Sequence, residues 1–147
     1  RVLKGWFTGG EQAVSVFWCH YSWWLGPEDD LLFKKEWDET LRHIDPDSDT
    51  IHLLMGDFNN EAEVQEEGYA YMQKTAPQIL DTYVEAEEKI GSATVLDDID
   101  GWEGDTNEKR IDYIFTDYTG DIKSSRVVFD GQREPIVSDH FGVVVEF

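Results

Sequence analysis

The apolar positions of this chain fall into short blocks, separated by polar segments marked with Gly and Pro. Residues 13–19 (Ala-Val-Ser-Val-Phe-Trp-Cys) have the β-branched and aromatic enrichment of a strand. Both alternating faces are apolar, with Val14, Val16 and Trp18 on one and Phe17 and Cys19 on the other. Such a strand needs cover on both sides. Residues 27–44 read as a helix. Pro27 suits the first helical position, and Glu28, Asp29 and Asp30 complement the positive end of the helix dipole. Phe33, Trp37, Leu41 and Ile44 recur at helical spacing and form its buried stripe. Arg42 and His43 occupy the last turn, and Asp45-Pro46 ends it.

Residues 51–55 (Ile-His-Leu-Leu-Met) read as a buried strand that runs into Gly56-Asp57-Phe58-Asn59-Asn60. A second helical region is expected over 61–75, interrupted by Gly68 and closed by Pro77, and a third over 82–89, stopped by Gly91. Residues 97–109 are polar and read as a loop. Strands are expected over 110–116 and 122–129, joined through 117–121 as a hairpin. The last strand covers 142–147 and stops abruptly at the final residue. Helices and strands mix without repeats, which predicts an α/β (α+β) domain with a layered core. Two or three short helices can cover one face of such a sheet. The other face is left to another part of the parent protein or to a second copy of the chain.

Composition narrows this picture. The 147 residues suit one unit, 1–147, with a real core, and 40% hydrophobic residues argue against disorder. The formal net charge is −20, and no basic run interrupts it. Nucleic acid, itself densely negative, is therefore a less favoured partner. No apolar run approaches the roughly 20 residues of a membrane span. The single cysteine, Cys19, cannot close an internal disulfide, which fits a reducing, cytoplasmic setting.

Four places carry candidate chemistry. His20 ends Phe-Trp-Cys-His; Asp57 and Asn59 lie in Gly-Asp-Phe-Asn; Asp112 lies in Arg-Ile-Asp-Tyr; Asp139 and His140 lie in Ser-Asp-His. Acids and histidines gathered at strand ends are the raw material of metal-assisted hydrolysis. Singly, each has a plainer reading: a turn or cap for an Asp, an N-cap for Asn60, a satisfied structural role for a His. Glu61, Glu63, Glu66 and Glu67 read as a solvated face, His52 as a strand residue with a partner, His43 as a helix-end residue, and Cys19 as a small buried hydrophobe.

Taken in order, the four motifs resemble those of the endonuclease/exonuclease/phosphatase superfamily, the DNase I-like enzymes, over nearly the whole chain. The resemblance implies a four-layer α/β/β/α sandwich of which this chain is the C-terminal half. Asp57 would orient or deprotonate the attacking water, and Asn59 would hold that Asp or a phosphate oxygen. His20 and His140 would donate hydrogen bonds to phosphate oxygens, and Asp112 would orient His140. Asp139 would contact a metal directly or through water, with Asp57 and Asn59 as further ligands. Hard oxygen ligands and only four histidines favour Mg²⁺ or Mn²⁺ over zinc. The family's first half carries an Asn and a metal-binding Glu. Nothing in residues 1–12 matches either, and Glu11, the only acid there, lacks the context.

The substrate reading rests on charge and aromatics. Trp23 and Trp24 follow His20 directly, and Trp102 lies in Asp-Gly-Trp-Glu-Gly. These rings could stack on a sugar or base; Trp23 and Trp24 could equally pack in the core. The same segments resemble the maltose 6′-phosphate phosphatase-like bacterial subgroup. The leading expectation is a hydrolase acting on a small phosphorylated metabolite such as a sugar phosphate. The alternatives are a Mg²⁺-dependent nuclease or phosphodiesterase, and a non-catalytic binding or assembly module.

Overall fold

The structure, a computed structural model, describes residues 1–10, 12–23, 27–46, 48–62, 64, 66–95 and 108–147. In chain order the elements are β1 (Val2–Phe7), β2 (Val14–His20), α1 (Pro27–Leu41), β3 (Ile51–Asp57), α2 (Gly68–Thr75), β4 (Leu80–Asp81) and α3 (Thr82–Glu85). β5 (Glu88–Ile90), β6 (Asp112–Thr116), β7 (Ser124–Val128) and β8 (Gly142–Glu146) follow. Among the described residues the strands form a five-stranded sheet, β1-β2-β3-β6-β4, and a three-stranded sheet, β5-β7-β8. β2 and β3 are parallel and end at one edge, where the antiparallel β6 begins.

The larger sheet buries one face under the helices. Phe17, Cys19, Leu54, Tyr113 and Phe115 from its strands meet Phe33 and Trp37 of α1 and Met72 of α2. Phe58 lies at the centre, 4.8 Å from the Tyr21 ring, 5.8 Å from Tyr113 and 5.2 Å from Phe115. Burying one such side chain is worth about 1.5–3 kcal/mol. The Trp37 indole donates to Thr75 Oγ1 at 3.0 Å, so its N–H is satisfied inside the core. The helical stripe read from the sequence is this face: Phe33 and Trp37 are buried, and Leu41 and Ile44 pack at its border.

The opposite face of the sheet carries Val16, Trp18, Leu53, Met55 and Ile114, as the strand registers require. Trp18 lies over Gly5 of β1 and stands edge-on to Phe7 at 6.2 Å. A cleft of about 250 Å³ separates Trp18, Met55 and Ile114 from Phe141 and Val143 beside and on β8. The second sheet thus faces only part of this surface, and Leu3 and Phe7 stay exposed. The doubly apolar strand expected at 13–19 is real, with one face fully covered and the other partly so. No described helix is long and apolar enough to cross a membrane.

Four sequence expectations are corrected. β6 and β7 do not form a hairpin; they lie in different sheets. Asp117 is the cause: its carboxylate accepts the His52 N–H at 2.7 Å and meets His52 Nδ1 at 2.6 Å, pinning the chain at the start of β3. From there it crosses to the smaller sheet, where the Lys123 N–H donates to the Glu146 carbonyl. The helix expected over 61–75 begins only at Gly68, whose N–H donates to Asn60 Oδ1 at 3.0 Å. Asn60 therefore bonds the helix start from eight residues away, and Glu61 and Glu66 do not lie on a helix. The helix expected over 82–89 is one turn, because residues 88–90 pair with β7 as β5. β1 was not expected; as an edge strand with exposed side chains it has no alternating pattern. The helix expected to 44 ends at Leu41, and Glu11 and Glu63 lie outside the described residues.

Gly56 is the residue that lets β3 approach β2. Its φ is +132°, and a Cβ there would overlap the Cys19 carbonyl oxygen. Gly56→Ala should cost about 2 kcal/mol or more, from the strained backbone and the overlap. Chemical denaturation measures the loss, and an unchanged midpoint and slope would contradict it.

Candidate functional site

β2 and β3 place their last residues, His20 and Asp57, opposite each other. β3 and β6 place Asp57 opposite Asp112. All three side chains share one sheet face by register, the face that carries Trp18 and Met55. His140 reaches the same place from the segment before β8: its Nδ1 lies 2.9 Å from Asp112 Oδ2 and 3.2 Å from Oδ1. His20 Nε2 lies 3.7 Å from Asp57 Oδ2. The structure therefore brings together His20, Asp57, Asp112 and His140.

Asn59 is tied into the cluster by its backbone. It adopts a positive φ of 51°, a conformation Asn tolerates. Its N–H donates to Asp57 Oδ1 at 2.8 Å, an Asx-type turn, and its Nδ2 donates to Asp57 Oδ2 at 3.1 Å and to the Tyr21 carbonyl at 2.9 Å. Asn59 thus holds both oxygens of Asp57 and the end of β2 at once. It is itself buried, as a holder of backbone should be.

The charges respond to this packing. Burial pushes the Asp57 carboxyl above its ordinary range, and the neighbouring Asp112 charge adds to that; the Asn59 N–H opposes it. The hydrogen bond to Asp112 raises His140 above its ordinary value, against the pull of burial. Asp139 is exposed and receives the Ser138 hydroxyl at 3.1 Å, which lowers its pKa. It stands beside His140 in sequence and is held by Ser138.

Metal ligation can be tested on these donors. Asp57 and Asp112 offer hard oxygen ligands, but Asn59 turns its amide nitrogen towards Asp57. Among the described residues no group of three His, Cys, Asp or Glu side chains converges on one point.

Trp23 is half-buried beside Ser22, whose N–H and hydroxyl both donate to Glu36. Trp24 and Trp102 lie outside the described residues. The simpler readings of His52 and Cys19 hold: His52 is buried on Asp117, and Cys19 is buried with its thiol pushed up to about 12. Sequence reasoning missed the role of Arg110. It is buried, pairs with Asp81 at 2.7 Å, and lies 4.7 Å from the Tyr83 ring and 4.8 Å from the Tyr113 ring. The Tyr113 hydroxyl sits within hydrogen-bond distance of both the Arg110 and Asn60 carbonyls, so this cage fixes the start of β6. An Arg before an apolar strand was the available signal; its partner lies 29 residues earlier.

Comparison with known proteins gives this arrangement a setting. No family model and no curated protein matches the sequence. Among solved structures, the chain is similar to an endonuclease/exonuclease/phosphatase family protein from Leptotrichia buccalis, at 32% identity and a TM-score of 0.76. The match covers 99% of this chain and 54% of that one. It also shares its fold with a mannosyl-6-phosphatase from Bacteroides thetaiotaomicron, at 22% identity and a TM-score of 0.63, over 95% of this chain and 52% of that one. An AP endonuclease from Archaeoglobus fulgidus has a TM-score of 0.70 at 15% identity, over 100% of this chain and 65% of that one. The chain therefore has the mixed α+β fold of this DNase I-like family. It spans about half the length of the first two structures.

His140 should titrate above the ordinary imidazole value of about 6.5. A raised folded pKa contributes stability that is full below the unfolded value and is lost as pH climbs through the folded one. Asp112→Asn should bring the His140 titration, followed by NMR, back down. An unmoved His140 would contradict the pairing.

Proposed function

We propose, from the premise that the chain carries the endonuclease/exonuclease/phosphatase fold, that it supplies the C-terminal half of a phosphoesterase acting on small phosphorylated metabolites. The observation that carries this reading is the alignment of Asp57 with the Asp112–His140 pair at one edge of one sheet. Asp57, held by Asn59 through both oxygens, is the group that orients and deprotonates water. With Nδ1 committed to Asp112, His140 has Nε2 to offer a phosphate oxygen. Its raised pKa favours the donating, positive form. His20, on the far side of Asp57, is a second donor. Together they meet charge that builds up on the phosphoryl oxygens.

We assign Mg²⁺ or Mn²⁺ to the same edge, with Asp57, Asn59 and Asp139 as candidate donors and further ligands from outside this chain. When bound, such a cation supplies charge neutralisation at the phosphate. Two things support a small substrate. The net charge of −20 opposes a polyanion, and a structure sharing the fold is, by its name, a mannosyl-6-phosphatase. Trp23, Trp24 and Trp102 are the proposed sugar-stacking residues.

Full-length protein with Mg²⁺ should release phosphate from sugar phosphates and leave plasmid DNA uncut. Plasmid cleavage without phosphate release would reverse the substrate assignment. Asp57→Asn should lower kcat by roughly 10²–10⁴-fold, the usual worth of a positioned general base. The rate should rise as Asp57 ionises above its raised pKa and fall as His140 loses its proton. The 147-residue chain by itself should bind Mg²⁺ weakly in calorimetry. A saturable, tight isotherm would show that its own donors suffice.

A further inference from the structure

We propose that Thr94 is a positioning residue that clamps the strand carrying Asp112 to the segment carrying His140. Thr94 is 1% exposed and lies just beyond β5, outside all four sequence motifs. Its Oγ1 accepts the N–H of Ile111 at 3.0 Å and the N–H of Asp112 at 3.1 Å. Its own N–H donates to the Lys109 carbonyl at 2.8 Å, and its carbonyl accepts the Phe141 N–H at 2.7 Å. The next residue, Val95, forms an isolated bridge with His140.

One buried residue thus bonds both sides of the Asp112–His140 contact. The two sides need such a link because they belong to different sheets: Asp112 starts β6 in the larger one, and His140 precedes β8 in the smaller. No ladder hydrogen bond joins β6 to β8. Asp112 pairs with β3 on one side, while its N–H is taken by Thr94. Only a hydroxyl-bearing side chain fits this role. Valine has the same shape but accepts nothing, and it would leave two buried N–H groups without a partner. Serine keeps the oxygen.

The effect on turnover rests on the phosphoesterase reading; the clamp does not. In the full-length protein, the Nδ1 proton of His140 should give a slowly exchanging NMR signal, because Asp112 holds it. Thr94→Val should lose that signal and expose the Ile111 and Asp112 amides to exchange, while Thr94→Ser keeps both. Turnover should follow, with kcat down by roughly 10²-fold in Thr94→Val, KM little changed, and Thr94→Ser close to wild type. A folded Thr94→Val that keeps the His140 signal and its kcat would overturn the clamp. So would a Thr94→Ser as impaired as Thr94→Val. Should Thr94→Val fail to fold, exchange in the wild type decides: protected Ile111 and Asp112 amides support the clamp, and amides exchanging like those of an open loop overturn it. A wild type that releases no phosphate from any substrate overturns the phosphoesterase reading, and the NMR comparison still decides the clamp.

Discussion

Parallel pairing of β2 with β3 continues to its final register, His20 opposite Asp57, and the rest of the site hangs from that pairing. Side chains alternate along a strand, so a slip of one residue would send His20 and Asp57 to the helix-covered face. The register is held from both directions. Phe17 and Leu54 must enter the core beside each other, and Gly56 must sit under the Cys19 carbonyl. Asn59 then ties the end of β2 to Asp57 through the Tyr21 carbonyl. Core packing and the geometry of the candidate site are in this way set by one ladder.

A second constraint follows from the first. Antiparallel pairing puts Asp112 directly across from Asp57, and facing carboxylates repel. His140 offsets one of those charges by bonding Asp112, and that bond raises the His140 pKa; Asp57 is raised by burial first and by the Asp112 charge second, with His140 acting against the rise. A carboxyl and an imidazole with shifted pKa values thus share one strand edge, a pattern that clusters at functional sites. The opposite end of β3 holds a superficially similar pair, His52 with Asp117, but His52 is buried there and its ring serves the strand crossing rather than an open edge. Position at the exposed edge, not residue type, separates the two pairs.

Much of this was legible in the sequence, for physical reasons that differ by element. β2, β3 and α1 announce themselves because their apolar positions are dense and periodic, and they form the core. Asp57 and Asn59 were legible because they sit at and just past the end of β3, and Asp112 and His140 because they sit at or near the start of strands, β6 and β8. The hairpin expected around 117–121 failed because nothing local reveals that Asp117 is held by His52, 65 residues earlier. Thr94 and the Arg110–Asp81 pair were invisible for the same reason: their meaning lies in long-range bonds to backbone and to aromatic rings. The edge strands β1 and β5 carry too little burial to leave a pattern, and β4 is only two residues long.

The claim that matters most is that the His20–Asp57–His140 edge is where phosphate binds. Amide chemical-shift mapping of the full-length protein titrated with inorganic phosphate in the presence of Mg²⁺ tests it directly. Shifts should concentrate at residues 20–23, 57–60, 112 and 138–141, and leave the His52–Asp117 end still. Shifts gathered at that far end would contradict the account.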